Sequence, residues 1–143
     1  MLDVNSSYCY LVLCKHFADT CVTVRQGDRL AGFLTALLVP DDPTRLFVWQ
    51  VGVSAADRGQ GLAKRMLRHL LGRPACRGVT HLETTVSPGN APSRALFASL
   101  ARELDTSLDE CETYGPEWFP EPNHDPEQRL LLGPFDPAVF AQS

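Results

Sequence analysis

Three absences narrow the reading of this chain before any motif does. No uninterrupted run of about eighteen apolar residues occurs, the length a membrane-crossing helix needs, so no transmembrane span and no membrane partner are expected. Positive charge is short: 13 Lys and Arg stand against 17 Asp and Glu, a net charge of −4, which argues against a general nucleic-acid binder. Metal-type and disulfide-type spacing is missing as well. The cysteines (Cys9, Cys14, Cys21, Cys76, Cys111) are odd in number with no CxxC pair, and His16, His69, His81 and His124 form no HExxH cluster. The thiols are therefore expected to be reduced and mostly buried as packing residues, with no metal site. The first residues lack a basic stretch followed by an apolar core, so they do not read as a secretory signal, and a cytoplasmic location is expected. No internal repeat is visible. A length of 143 residues suits a single domain, 1–143, with one core.

What is present centres on Leu46 to Leu71. Leu46-Phe47-Val48-Trp49-Gln50-Val51-Gly52-Val53 is rich in β-branched and aromatic residues and bounded by turn formers, the mark of a mostly buried strand. Leu62, Met66, Leu67, Leu70 and Leu71 then recur at helical spacing, which predicts a helix from about Gly59 to Leu71. Between them lies Arg58-Gly59-Gln60-Gly61-Leu62-Ala63. Glycine lets backbone approach a ligand, and a helix start presents unpaired N–H groups at a positive dipole end. Strand, glycine loop and helix together make a ready site for a phosphate or pyrophosphate. The plain alternative is a helix-start loop that uses glycine only to turn. A P-loop is excluded by the lack of a later Gly-Lys-Ser/Thr, and a dinucleotide fingerprint by the glycine spacing.

Elsewhere, Asp3 or Asn5 is expected to cap a short helix through Tyr8, Leu11 and Val12. Cys21 to Arg25 and Leu30 to Val39 read as a hairpin around Gln26-Gly27-Asp28. Pro40-Asp41-Asp42-Pro43 reads as a break. Val79 to Val86 predicts a strand with His81, Glu83 and Thr85 on one face and Leu82, Thr84 and Val86 on the other. Leu96, Phe97, Leu100 and Leu104 form a helical stripe behind Pro92. Tyr114 to Pro126 reads as a long loop, Arg129 to Leu132 as a last short strand, and the tail after Gly133 as loose. Strands alternating with helices predict an α/β or α+β domain with a mixed sheet, antiparallel at one end.

The loop resembles the acyl-CoA loop of the GNAT acetyltransferase superfamily, Gln/Arg-x-x-Gly-x-Gly/Ala, whose fixed positions are filled by Arg58, Gly61 and Ala63. That resemblance implies the acyl-CoA N-acyltransferase fold, with a mixed central sheet flanked by helices, and acetyl-CoA as co-substrate. It implies that the central strand splays from its neighbour and that Gln50, Val51 and Val53 face the pantetheine arm. Gly52 would mark a bulge there, as a glycine inside a strand often does. Backbone N–H groups of Gly59, Gly61, Ala63 and Lys64 would hold the pyrophosphate, Arg58 and Lys64 would add charge, and Asn90 would supply a polar cofactor contact. The plain role of Asn90 is a helix N-cap.

The blocks Asp3-Val4-Asn5-Ser6-Ser7-Tyr8-Cys9-Tyr10, Leu46 to Val51, Pro74 to Val79, His81 to Pro88 and Ser93 to Phe97 resemble the diaminobutyrate acetyltransferase branch of that superfamily. The reaction implied moves acetyl to the 4-amino group of L-2,4-diaminobutyrate, a step of ectoine synthesis, in a homodimer that needs no metal. An ammonium cannot attack a thioester, so the amine must first give its proton to a carboxylate or a water chain. Asp3, Glu83 and Glu127 are the candidate bases. By resemblance Asp3, Tyr8, Trp49, His124 and Glu127 belong to the substrate pocket and Glu83 lies beside the acetyl group. The backbone N–H of Val51 is the expected oxyanion donor. Each has a plain alternative: a helix cap for Asp3, core for Trp49, a solvated sheet charge for Glu83, and surface loop positions for His124 and Glu127.

Two departures from the pattern stand out. The superfamily places a strand and a helix, about thirty residues, before the Asp3 region, so this chain is expected to lack one β–α unit and to expose a sheet edge. The last helix carries Phe97 where many relatives have a tyrosine that protonates the leaving thiolate. Two alternatives remain open at this point: a related acetyltransferase for another amine (a longer diamine, a peptide N-terminus or a polyamine), and a CoA-binding remnant without turnover.

Overall fold

The computed structural model describes residues 6–121 and 124–141, and among these a six-stranded mixed sheet is flanked by three α-helices. In chain order these are α1 (Ser7–His16), β1 (Val22–Gln26), β2 (Arg29–Val39), β3 (Asp42–Val53), α2 (Leu62–Leu71), β4 (His81–Val86), α3 (Ala91–Glu103), β5 (Ser107–Tyr114) and β6 (Glu127–Gly133). The sheet order is β1-β2-β3-β4-β6-β5, and only β3 and β4 run parallel. That follows from the connections. Tight turns join β1 to β2 and β2 to β3, whereas β3 reaches β4 through α2, and a parallel pair requires such a crossover.

The core lies on the sheet face that carries α2 and α3. Leu34, Leu46, Val48, Leu82 and Leu132 from the strands meet Met66, Leu67, Leu70, Phe97 and Leu100 from the helices. The alternation expected for β4 holds: Leu82, Thr84 and Val86 are buried while His81, Glu83 and Thr85 are only partly so. α1 lies against the opposite face, where the Tyr10 ring meets Phe33 edge-on with centroids 6.4 Å apart.

Several expectations need correction. The helix cap at α1 is Ser6, whose side chain accepts from Cys9 N–H at 3.1 Å; Asp3 and Asn5 lie outside the described residues. The supposed break at Pro40 is a two-residue turn, and β3 already begins at Asp42, with a register shift that leaves Pro43 out of the β2 pairing. The bulge in β3 is not at Gly52, which pairs regularly with Phe33. It lies at Trp49, the residue left over between Val48 opposite Ala36 and Gln50 opposite Thr35. α2 starts at Leu62 because Gly59 and Gly61 both take left-handed φ values, +82° and +72°. β5 was not foreseen: its only partner is β6, so it needs little apolar periodicity. Of the cysteines only Cys76 is buried, which pushes its thiol up to about 11; Cys14 is exposed.

The tail is also far from loose. Phe135 is buried and its N–H donates to Thr80 O at 2.9 Å, and a short 3-10 turn, Pro137–Phe140, packs on the end of α2. A Cβ added at Gly72 would stand 2.0 Å from the Phe140 carbonyl oxygen, a distance no side chain tolerates. Gly72→Ala should therefore force the tail off α2 and cost about 1–3 kcal/mol of stability. Thermal denaturation reads the loss, and an unshifted midpoint would show that the tail is not seated there.

Candidate functional site

The site arises where a ladder ends. β3 and β4 pair from Arg45–His81 to Val48–Thr84, and both strands then run on, to Val53 and Val86, without further rungs. At the last rung the Thr84 hydroxyl donates to Val48 O at 2.9 Å. Past it the strands separate around a cavity of about 490 Å³ lined by β3, the end of β4, the start of α3, Arg58 and Glu127. Backbone groups of β3 face this gap by simple alternation. Ser54 N–H donates to Ala31 O on β2, so the N–H groups of Gly52 and Gln50 turn the same way while those of Val53 and Val51 turn towards β4. The splay and the orientation of Val51 are what an amide-bearing chain laid between the strands requires.

The glycine loop forms the second half of the site. Nothing lies within 4 Å of a Cβ built at Gly59 or Gly61, so the space above the loop is open, and the left-handed φ at both positions favours glycine. α1 and α3 have side-chain N-caps, Ser6 and Asn90, but α2 begins at Gly61 with none. The first α2 amides therefore lack a capping side chain at the positive end of the helix. Arg58 lines the cavity and forms no ion pair among the described residues. These features fit a pyrophosphate at the loop and a pantetheine arm in the splay.

The structure gathers some of the candidate residues and separates others. Trp49, Gln50, Val51, Val53, Arg58, Asn90 and Glu127 line one cavity. Trp49 is not core; it is 41 % exposed, because the bulge takes it out of the β2 register. Gln50 is buried and accepts from the Tyr10 hydroxyl at 3.2 Å, a contact from α1 that the sequence reading missed. Asn90 both lines the cavity and caps α3, accepting from Ser93 N–H at 3.2 Å. Gly59, Gly61 and Ala63 sit at the loop and the start of α2. Lys64 does not aim its charge at the loop: its ammonium donates to Ser99 at 2.6 Å and lies 3.7 Å from Glu103. Tyr8 is 72 % exposed on α1, and His124 stacks on Phe119 with ring centroids 3.7 Å apart, outside the cavity lining. Asp3 lies outside the described residues.

Glu83 is the candidate the geometry treats least kindly as a base. It does not line the cavity, and one of its oxygens accepts from both Arg45 (3.2 Å) and Arg129 (2.9 Å). Two guanidinium groups thus occupy the carboxylate away from the cavity, and the Glu83 hydrogen bond raises the pKa of Arg129. A further residue escaped the sequence reading altogether. Asp57, directly before Arg58, is buried and held by Arg29 through two contacts, the longer at 3.0 Å, and by the Ser54 hydroxyl. Hydrogen bonds from Arg29 first, and then Ser54, hold its carboxyl below the usual range. No local pattern announces this pair, because Arg29, at the start of the neighbouring strand, is 28 residues away in sequence.

The Acetyltransferase (GNAT) family profile matches residues 3–101. The chain is 42% identical over 136 residues to an L-2,4-diaminobutyric acid acetyltransferase of Halalkalibacterium halodurans, covering 95% of this chain and 72% of the relative. It is 47% identical over 135 residues to the protein of the same name in Bordetella parapertussis, covering 94% and 73%. Among solved structures it superposes on a diaminobutyrate acetyltransferase from Paenibacillus lautus, determined in complex with its substrate L-2,4-diaminobutyric acid and coenzyme A. That match has a TM-score of 0.90 at 41% identity over 99% of this chain and 83% of that one. The ribosomal-protein-S18-alanine N-acetyltransferase of Escherichia coli, at 19% identity and a TM-score of 0.69, shares the fold.

The depressed carboxyl of Asp57 sets a pH signature. Its contribution to stability is complete above the unfolded value, about 3.9, and is lost as pH falls through the lower folded value. Asp57→Asn should therefore be destabilised by a constant margin above about pH 5, and the margin should close in stronger acid. Denaturant titrations across that range measure it; a margin that widens towards acid would contradict the pairing.

Proposed function

This chain belongs to the Acetyltransferase (GNAT) family and, within it, to the L-2,4-diaminobutyric acid acetyltransferases, and on that premise we propose how its residues move an acetyl group from acetyl-CoA to the 4-amino group of L-2,4-diaminobutyrate. The product, N4-acetyl-L-2,4-diaminobutyrate, is the ectoine precursor. The observation that carries the reading is the single cavity that joins the unpaired backbone of β3, the loop-side Arg58 and one carboxylate, Glu127. Acetyl-CoA, when bound, supplies an acyl group activated as a thioester.

The chain's own residues supply the rest. The uncapped start of α2, the open glycine loop and Arg58 bind the pyrophosphate. Backbone groups of Val51 and Val53 bind the amides of the pantetheine arm, and Val51 N–H donates to the acyl oxygen as negative charge gathers on it. Trp49 walls the amine side, where its ring attracts the cation before deprotonation. Glu127 orients the substrate ammonium and takes its proton directly or through one water. We assign the base to Glu127 over Glu83 because Glu127 lines the cavity and Glu83 does not. Asp3, Tyr8 and His124 complete the substrate pocket in this proposal. Phe97, buried against the cavity, cannot donate a proton to the leaving thiolate; a thiolate is itself a tolerable leaving group near neutral pH.

The proposed assembly is a homodimer. Tyr8, Leu11 (59 % exposed) and Phe17 leave apolar surface on and just after α1 that a second copy would cover. Five free cysteines suit the reducing cytoplasm, and no helix of the described residues is long and apolar enough to cross a membrane. The proposed route assigns no step to a metal.

The test is release of free CoA thiol from acetyl-CoA with and without L-2,4-diaminobutyrate, and with a longer diamine, a polyamine and a peptide N-terminus as competitors. Turnover confined to diaminobutyrate is expected. Glu127→Gln should lower kcat/KM for diaminobutyrate by about 100-fold while CoA affinity holds. Equal loss of both would remove Glu127 from the amine site.

A further inference from the structure

We infer that Asp57 and Arg29 are positioning residues for the acetyl-CoA loop: a charge-balanced clamp that keeps a carboxylate in place beside an anion site without letting it fill or repel that site. The inference rests on the pyrophosphate reading of the loop given above.

A buried acid directly before Arg58-Gly59-Gln60-Gly61 is at first sight the wrong residue. Short acidic side chains ahead of a helix are the ones that cap its free amides, and a carboxylate near a pyrophosphate repels it. Yet α2 has no side-chain cap. The cap position itself is Gly61, which has no side chain, and the nearest acid upstream, Asp57, is held away from the helix start by its own hydrogen bonds. Both Asp57 oxygens are engaged by Arg29, one of them at 3.0 Å, and one also accepts from Ser54. Asp57 is 2 % exposed, and its carboxylate's acceptor capacity is turned towards Arg29 and Ser54 rather than the helix start.

Arg29 is the first residue of β2 and follows the Gly27-Asp28 turn, so the clamp ties the β1–β2 hairpin to the 3-10 turn Ala55–Asp57. Ser54 N–H donates to Ala31 O at 2.8 Å and Asp57 N–H to Ser54 O at 3.0 Å, which fixes the backbone on both sides. The loop thus leaves β3 from an anchored point, with its charge cancelled, and only the exposed Arg58, Gly59 and Gln60 separate that point from Gly61.

This arrangement predicts an order of defects that a plain packing contact would not. Asp57→Asn loosens the loop and leaves the Arg29 cation unmatched, a charge that does not repel an anion. Arg29→Met loosens it equally and also leaves an unmatched carboxylate beside the pyrophosphate. The pair Arg29→Met with Asp57→Asn loosens the loop without that charge, so the double variant should bind better than Arg29→Met alone.

Calorimetric titration with CoA on the full chain, at low and high salt, tests the order. Arg29→Met is expected to lose about tenfold in affinity, Asp57→Asn less, and the double variant to regain part of the loss. Arg29→Lys should rescue most of it. The Arg29→Met defect should shrink at high salt. KM for acetyl-CoA should follow the CoA affinities while kcat and KM for diaminobutyrate stay unchanged. Should Arg29→Met not fold, the milder Arg29→Lys and Ser54→Ala replace it and should still bind CoA more weakly than wild type. Wild-type affinity in Arg29→Met, or a double variant no better than Arg29→Met, would overturn the clamp while leaving the loop reading intact. A wild-type chain that binds no CoA would overturn the loop reading and the clamp with it.

Discussion

The hydrogen bond from the Thr84 hydroxyl to Val48 O is the last tie between the two central strands, and the functional half of the molecule depends on what happens after it. A parallel pair that kept its ladder would satisfy its own backbone and leave nothing for a ligand. Here two strands buried at one end separate at the other, so Val51 and Val53 keep backbone donors and acceptors turned to the gap. Such groups are strongly driven to find partners. A chain rich in amides is a chemically apt one, which is why this mixed sheet serves acyl-CoA chemistry through a defect in its own ladder.

Charge is sorted around that defect. Glu103 is matched by Arg68 and Lys64, Glu83 by Arg45 and Arg129, and Asp57 by Arg29. Each match draws an acid or a base away from the reacting region. Along the cavity wall stand Arg58, beside the uncapped start of α2, and Glu127. A net charge of −4 is therefore no obstacle to binding an anionic co-substrate, because the field that matters is local.

Much of this was legible in the chain. Leu62, Met66, Leu67, Leu70 and Leu71 spelled out α2 because a helix buried on one side must repeat that way, and β4 alternated because one face is core. The glycine loop was legible because positive φ leaves a composition mark. β5 was not, since a strand paired on one side and exposed on much of the other carries polar residues such as Asp109, Glu110 and Glu112. The seat of the tail was hidden because it depends on a close approach between Gly72 and Phe140, distant in sequence. The site itself split the same way. Its backbone donors follow from strand and loop, but the Arg29–Asp57 pair and the Tyr10–Gln50 contact are products of tertiary placement. Glu83, plausible from its strand position alone, is placed differently once Arg45 and Arg129 are seen on either side.

The extra residue at Trp49 acts on the strand as a phase shift. Leu46 and Val48 keep even positions in the core, whereas from Val51 onward the odd positions face it, opposite Leu34 and Gly32. One inserted residue thus changes the parity of everything downstream without altering a single local propensity. Deleting it would leave composition and hydrophobicity almost untouched, yet would invert inside and outside for Gln50 through Val53 or drag the whole loop back by one rung. In this part of the chain, length carries information that residue identity does not.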